Sequence, residues 1–192
     1  MRRVLVLASA SPRRHQLLAW LGIPFTIDSA DVDETPHQDE DAGEMVARLA
    51  RAKAMAVAAR RPDAWVLGAD TTVEVDGVLL GKPADDGEAA TMLGRLAGRE
   101  HRVSTGFALV APGGTPRVVD VVRTRVVFRP LAEHAIRAYV ASGEPDGKAG
   151  GYAIQGLGAG LIERIDGSFT NVMGLPLTEV ARALAEAGIR AA

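Results

Sequence analysis

The sequence predicts an α/β protein, on three observations. Short apolar runs alternate with stretches of helical periodicity along all 192 residues. The first apolar run leads through a serine-rich turn, Ser9-Ala10-Ser11, directly into a helix that opens on Pro12. In mid-chain, Asp76-Gly77 lies between two short apolar segments, a strong short-range sign of a hairpin.

Taken in order, residues 2–8 predict a short buried strand. Ser11 suits an N-cap, and the helix after it runs to about Leu21, with Leu17, Leu18 and Leu21 on its apolar face and Gly22 as its stop. Phe25 to Ile27 predicts a strand, and residues 28–42 an acidic loop. Residues 43–60 predict a helix whose apolar positions include Met45, Val46, Leu49, Ala50 and Ala54; Lys53 reads as a surface lysine off that stripe. The run Trp65 to Leu67 predicts a buried strand that breaks at Gly68 and leaves Asp70 at its end, followed by Thr71 and Thr72. The hairpin comes next, with strands 73–75 and 78–80 and Gly81-Lys82-Pro83 at its exit. Residues 86–97 predict an amphipathic helix, 102–111 and 118–128 two long antiparallel strands, and 131–142 another helix. The glycines of 143–160 allow backbone to approach a ligand closely. Leu161 to Ile165 predicts a strand, Asp166-Gly167 a turn, and 176–188 a closing helix. No repeat, low-complexity tract or linker divides the chain, which reads as a single domain over 1–192.

Composition narrows the function. A hydrophobic content of 47% with 4% aromatics predicts an aliphatic core. A net charge of −2 and a pI near 6.1 argue against binding a nucleic-acid polymer. With no cysteine, disulfides, thiolate catalysis and Cys-ligated zinc are excluded. The apolar run at the start is too short for a signal peptide, and no segment approaches the roughly 18 apolar residues of a membrane span. The expectation is a cytoplasmic protein without membrane contact. The four histidines lack metal-ligand spacing and read as bystanders. Only Lys53, Lys82 and Lys148 are lysines among 22 Lys and Arg; where the chain keeps lysine, a compact ammonium is a reason for it, and a GC-rich genome is another.

The chemistry-bearing residues suggest a phosphate site. A strand, serine-rich turn and helix aim free N–H groups and a positive dipole end at an anion, which would reconcile Arg13 and Arg14 with a first helical turn that otherwise disfavours cations. Arg13, Lys53, Lys82 and Lys148 with that helix start match a polyphosphate better than a single carboxylate. Asp70, with Glu34 and Asp33 from the acidic loop, would repel such a ligand unless they hold a divalent metal such as Mg²⁺ or act on water. The hairpin pair Asp70 and Lys82 equally suits an ordinary surface salt bridge, and most of the acidic loop reads as solvated. Neither a Walker A motif nor G-x-G-x-x-G is present, so a P-loop enzyme and a Rossmann dehydrogenase are unsupported.

The blocks "LASASPRR", "GADTTVEVDG…LLGKP", "STGFALV", "YVASGEP", "KAGGYAIQG" and "IDGSFTNVMGLPLTEV" follow one another along nearly the whole chain. In them the sequence resembles the Maf family of nucleoside triphosphate pyrophosphatases. The resemblance implies an α/β fold with a mixed, twisted sheet flanked by helices and a deep central cleft, inosine triphosphatase-like, often as a homodimer. It implies hydrolysis of a nucleoside triphosphate to the monophosphate and pyrophosphate with a divalent cation, Mg²⁺ or Mn²⁺. Under it, Asp70 is the proton acceptor and Ser11, Glu34 and Lys82 belong to the catalytic region; on the chemistry of the residues themselves, Asp70 and Glu34 are the expected metal ligands. Arg13, Lys53, Thr71 and Gln155 match the branch acting on dTTP and UTP, and Ser9, Arg14 and Lys148 complete the expected substrate contacts. A primary amide such as Gln155 can accept from N3–H of uracil or thymine and donate to O4 or O2, a pattern that cytosine reverses at N3 and position 4. One departure stands out: the family commonly has Asp before the lysine of the "GEP" block, where this chain has Gly147 after Asp146. Two alternatives remain at this level: a pyrophosphatase for modified or methylated nucleotides, and a nucleotide-binding regulator of cell division.

Overall fold

A computed structural model describes residues 3–191. Seven strands form one mixed sheet in the order β2-β1-β3-β5-β6-β7, with β4 paired to β3. The strands are β1 (Leu5–Ala8), β2 (Thr26–Ile27), β3 (Trp65–Val75), β4 (Val78–Leu80), β5 (Glu100–Ala111), β6 (Thr115–Phe128) and β7 (Ile162–Asp166). The helices are α1 (Pro12–Ala19), α2 (Ala42–Arg60), α3 (Asp86–Leu96), α4 (Glu133–Val140), α5 (Phe169–Met173) and α6 (Leu177–Glu186). β1 runs parallel to both β2 and β3, whereas β3 with β4 and β6 with β7 are antiparallel. The expected α/β class with a mixed sheet is therefore observed.

The chain folds as two compact units. The first comprises 1–70, 105–122 and 174–192, and the second 71–104 and 123–173. Each has an apolar core of its own. In the first, α2 lays Ala50, Ala54 and Val57 over Val6 of β1, Val66 of β3 and Ala108 of β5. Two glycines set how close α2 comes. A Cβ on Gly68 would lie 2.3 Å from the carbonyl oxygen of Ala50, and one on Gly106 would lie 2.3 Å from that of Val46. Gly68 does not end β3, as the sequence suggested; it is the seat for α2, and the strand runs through it to Val75. Asp70 consequently sits inside the strand, not at its end.

The second unit packs Val73, Leu80, Leu93, Val103 and Phe128 into its core, with α3 against α4. Asp76 and Gly77 both take positive φ, 49° and 76°, as a two-residue type I′ hairpin requires. His101, Phe128 and Tyr152 meet edge to face in the same core.

Element ends differ from expectation where no periodic pattern marks them. α1 stops at Ala19, leaving Leu21 outside it and half-buried, and Gly22 turns with φ 66°. β2 has only two residues, both exposed. β5 and β6 each begin two to three residues early. The helix α5 and the 3₁₀ turns at Ala149–Gly151 and Gly156–Leu161 are too short or too glycine-rich to show a period. Arg2, placed in the first strand by the sequence, lies outside the described residues.

Candidate active site

The first unit places its chemistry where parallel strands end. β1 connects through α1 to β2 on one side of it and pairs with β3 on the other, and the chain returns from β2 to β3 through α2. The direction of connection thus reverses across β1, and in open α/β sheets ligands bind outside the carboxyl ends of the strands at such a reversal. Ser9, Ser11, Arg13 and Arg14 follow β1 there. Ala8 pairs with Gly68 of β3, two residues before Asp70.

Asp70 is a buried carboxylate, 8% exposed, and its partner is Lys53, 7% exposed, whose Nζ donates to Asp70 Oδ1 at 2.6 Å. The same ammonium lies 2.6 Å from Glu34 Oε1. Lys53 is not the surface residue the sequence suggested. It falls at helical spacing with Val46, Ala50 and Val57, on the buried face of α2. The position was legible in that i, i+4, i+7 spacing; its charge was what pointed outward. One buried ammonium joins a carboxylate from a strand to one from the acidic loop, and their bonded oxygens lie no more than twice 2.6 Å apart.

The acidic loop is held to α2 by further ion pairs. Arg48 donates from Nε and Nη2 to the two carboxylate oxygens of Glu40, both at 2.6 Å, and holds that carboxyl down to about 2. Arg60 Nη2 pairs with Asp28 at 2.6 Å. Asp41 caps α2 by accepting from Glu44 N–H at 2.8 Å, while Glu44 accepts from Asp41 N–H in return. Asp33, a candidate metal contact from the sequence, accepts the N–H of Thr35 at 2.9 Å.

The serine turn is braced from below. Ser9 is buried, its Oγ accepts Ser11 N–H at 3.2 Å, and His15 Nε2 lies 2.7 Å from its carbonyl oxygen. Ser11 holds the N-cap position of α1; its carbonyl accepts His15 N–H at 3.1 Å, but its side chain makes no capping hydrogen bond. Arg14 Nε donates to Gly174 O at 2.8 Å, tying the turn to the segment before α6. Desolvation lowers the Arg14 guanidinium from its ordinary value, and the charges of Asp70 and Glu34 work against that. Arg13 is half-buried in the first turn of α1. His15 therefore supports the turn, and His101 forms a buried pair with Tyr152, Nε2 to phenol oxygen at 2.7 Å.

The remaining candidates belong to the second unit. Strand alternation turns Thr71, half-buried, to the face opposite Asp70. Lys82 is exposed at the exit of β4, and the adjacent Gly81 carbonyl accepts Gly150 N–H at 2.9 Å, which brings the hairpin exit to the glycine-rich segment. Lys148 is half-buried with Nζ 3.2 Å from Asp146 O. Gly147 takes φ 66°, a conformation that glycine adopts without the strain a side chain would add. Gln155 is half-buried, immediately before the 3₁₀ turn at Gly156–Leu161. The sequence reading missed Glu144, whose carboxylate accepts the N–H groups of Leu157 and Gly158.

No group of three or more His, Asp or Glu clusters as a ready metal cage among the described residues. The donor set of Asp70 and Glu34 nonetheless suits Mg²⁺ or Mn²⁺, which commonly take one or two carboxylates and complete their shell with water and substrate phosphate. Arg14 and Lys53 balance the two carboxylates in formal charge, so a divalent ion would leave the cluster positive and able to attract a triphosphate.

Comparison with known proteins places the chain among named relatives. A protein of Myxococcus xanthus named dTTP/UTP pyrophosphatase is 55% identical over 97% of this chain and 93% of its own length. One of the same name from Syntrophus aciditrophicus is 53% identical over 96% of this chain and 90% of its own. Among solved structures, a HAM1 protein from Coxiella burnetii shares the fold, with a TM-score of 0.51 at 18% identity over 96% of this chain and 99% of that one. The model of the family described as Maf-like protein matches residues 4–187, and the chain belongs to that family.

Proposed function

We propose that this protein hydrolyses dTTP and UTP to the monophosphate and pyrophosphate, with Mg²⁺ or Mn²⁺ held by Asp70 and Glu34. The observation that carries the reading is the buried Asp70–Lys53 pair, joined by the exposed Glu34, just past the point where the parallel pairing of β1 with β3 ends and where the serine turn and α1 begin. Relatives about half identical over nearly their full length, named dTTP/UTP pyrophosphatase, support it.

The chemistry follows from the residues. Asp70 accepts a proton from water as that water attacks phosphorus at the α–β bridge, the anhydride bond breaks, and pyrophosphate leaves. When bound, the metal supplies charge for the leaving group and orients the phosphates. Lys53 keeps both carboxylates placed. Ser9, Ser11, Arg13 and Arg14 are assigned to the phosphates, and so on chemical grounds are Lys82 and Lys148. Gln155 is assigned to the base, with Thr71 among the substrate contacts. The family resemblance is also the basis for proposing a homodimer in the cytoplasm. Among the described residues no helix is long and apolar enough to cross a membrane.

A panel of nucleoside triphosphates with Mg²⁺ or Mn²⁺ tests the reading, with monophosphate and pyrophosphate both measured. Equal amounts of the two, fastest from dTTP and UTP, are expected. Orthophosphate with a diphosphate would mean that the wrong bond had been assigned.

A further inference from the structure

We infer that Glu144 is a positioning residue for base recognition: it fixes the main chain around Gln155 and so aims that amide at uracil or thymine. The inference rests on the assignment of Gln155 to the base made above.

Three observations in the second unit carry it. Glu144 Oε1 accepts Leu157 N–H at 2.7 Å and Oε2 accepts Gly158 N–H at 3.0 Å, so both carboxylate oxygens are spent on the peptide groups just past Gln155. The phenol oxygen of Tyr139 accepts Ala153 N–H at 3.0 Å. Gln155 therefore lies between two anchored points, two residues before it and two after, and both anchors come from the segment 139–144. Third, Gly156 takes φ +68°, and a Cβ there would lie 2.4 Å from Glu144 Oε1. The loop and the carboxylate leave no space between them.

A charged acceptor holds a backbone N–H more strongly than a neutral one. Partial burial works against ionisation of Glu144, but the N–H groups of Leu157 and Gly158, with Tyr139 and Lys148, outweigh it and keep the carboxyl below its usual range. An ionised clamp is thus present at neutral pH. Base recognition by a single amide depends on its orientation, because cytosine exchanges donor and acceptor at N3 and position 4 relative to uracil while keeping O2 as an acceptor. A loop free to shift by a fraction of an ångström would blur that difference while leaving the phosphate chemistry alone.

The test compares pyrophosphate release from UTP and CTP by the wild type, Glu144→Ala, Glu144→Gln, Gly156→Ala and Gln155→Ala, each checked by thermal melting for an intact fold. Glu144→Ala should raise KM for UTP and lower kcat/KM for it on the order of tenfold, the scale of a lost charged hydrogen bond, while kcat and the CTP rate hold. Glu144→Gln keeps one acceptor and should lose less. Gly156→Ala disturbs the same clamp from the other side and should lower the UTP-to-CTP ratio without altering the carboxylate. Equal losses on both nucleotides, or none, in Glu144→Ala and Gly156→Ala would overturn the inference. An unchanged ratio in Gln155→Ala would overturn the assignment of Gln155, and the role of Glu144 with it. A reduced ratio there, with none in Glu144→Ala, would remove Glu144 alone.

Discussion

Lys53 shows how much a single side chain can decide. Its ammonium is buried and bonded to Asp70 and Glu34, so Asp70 is held as a placed carboxylate, not a mobile one. Asp70→Asn keeps shape and removes the basic oxygen, and pyrophosphate release should fall by about 10²–10⁴-fold if Asp70 takes the proton; an unchanged rate in a stopped assay would refute that role. His101 makes a different prediction, about stability. Burial pushes its imidazole down to about 4 from 6.5. The folded state therefore holds it neutral while the unfolded chain takes up a proton, and stability should decrease as pH falls through 6.5 toward 4, at up to about 1.4 kcal/mol per pH unit. Urea unfolding at pH 7.5 and pH 5 should differ by about 2 kcal/mol from this residue, and His101→Gln should remove that part of the difference. Asp70 and Glu34 stood out from sequence because carboxylates near a cation-rich turn need a reason. Lys53 and His101 did not, because charge and polarity read as exposure until the neighbouring elements are in place. Glu144 was hidden for a related reason: its partners are backbone N–H groups thirteen and fourteen residues away, which no side-chain pattern encodes.

At the scale of an element, α2 is the part on which the site depends. It binds the acidic loop through Arg48, Lys53 and Arg60, and it seats against Gly68 of β3 and Gly106 of β5. Both seats are main-chain contacts, with the nearest helix oxygen 2.3 Å from a would-be Cβ, so neither side chain nor rotamer can give way. Gly68→Ala should push α2 outward, cost about 1–3 kcal/mol by overpacking, and lengthen the Lys53–Asp70 contact. Its mark is a joint loss of thermal stability and activity; a stable protein with full activity would show that the helix can shift without consequence. Periodic elements such as α2, α3 and the Asp76-Gly77 hairpin were legible, because burial on one face writes a period into the sequence and a two-residue turn demands positive φ. Gly68 was misread for a physical reason: glycine inside an apolar run signals either a strand break or a close approach, and only the position of α2 separates the two.

For the molecule as a whole, the question is whether binding and turnover can be separated. A metal and a nucleotide that bind only the folded chain raise its apparent stability by mass action, about 2.7 kcal/mol at a hundredfold excess over Kd. Chelation by EDTA should abolish pyrophosphate release, and added Mg²⁺ or Mn²⁺ should restore it. Lacking the metal, the cluster keeps its two carboxylates against Lys53 and Arg14, so UTP should stabilise the chelated protein less than the metal-loaded one in a melting assay. Asp70→Asn sharpens the comparison. If Asp70 chiefly accepts the proton, the variant should still be stabilised by metal and UTP while releasing no pyrophosphate. If Asp70 chiefly holds the metal, both the stabilisation and the turnover should disappear together. The first outcome also yields a protein that binds without cleaving. An effect on cell division shared by that variant and the wild type would then mark nucleotide binding, and not hydrolysis, as what the cell reads.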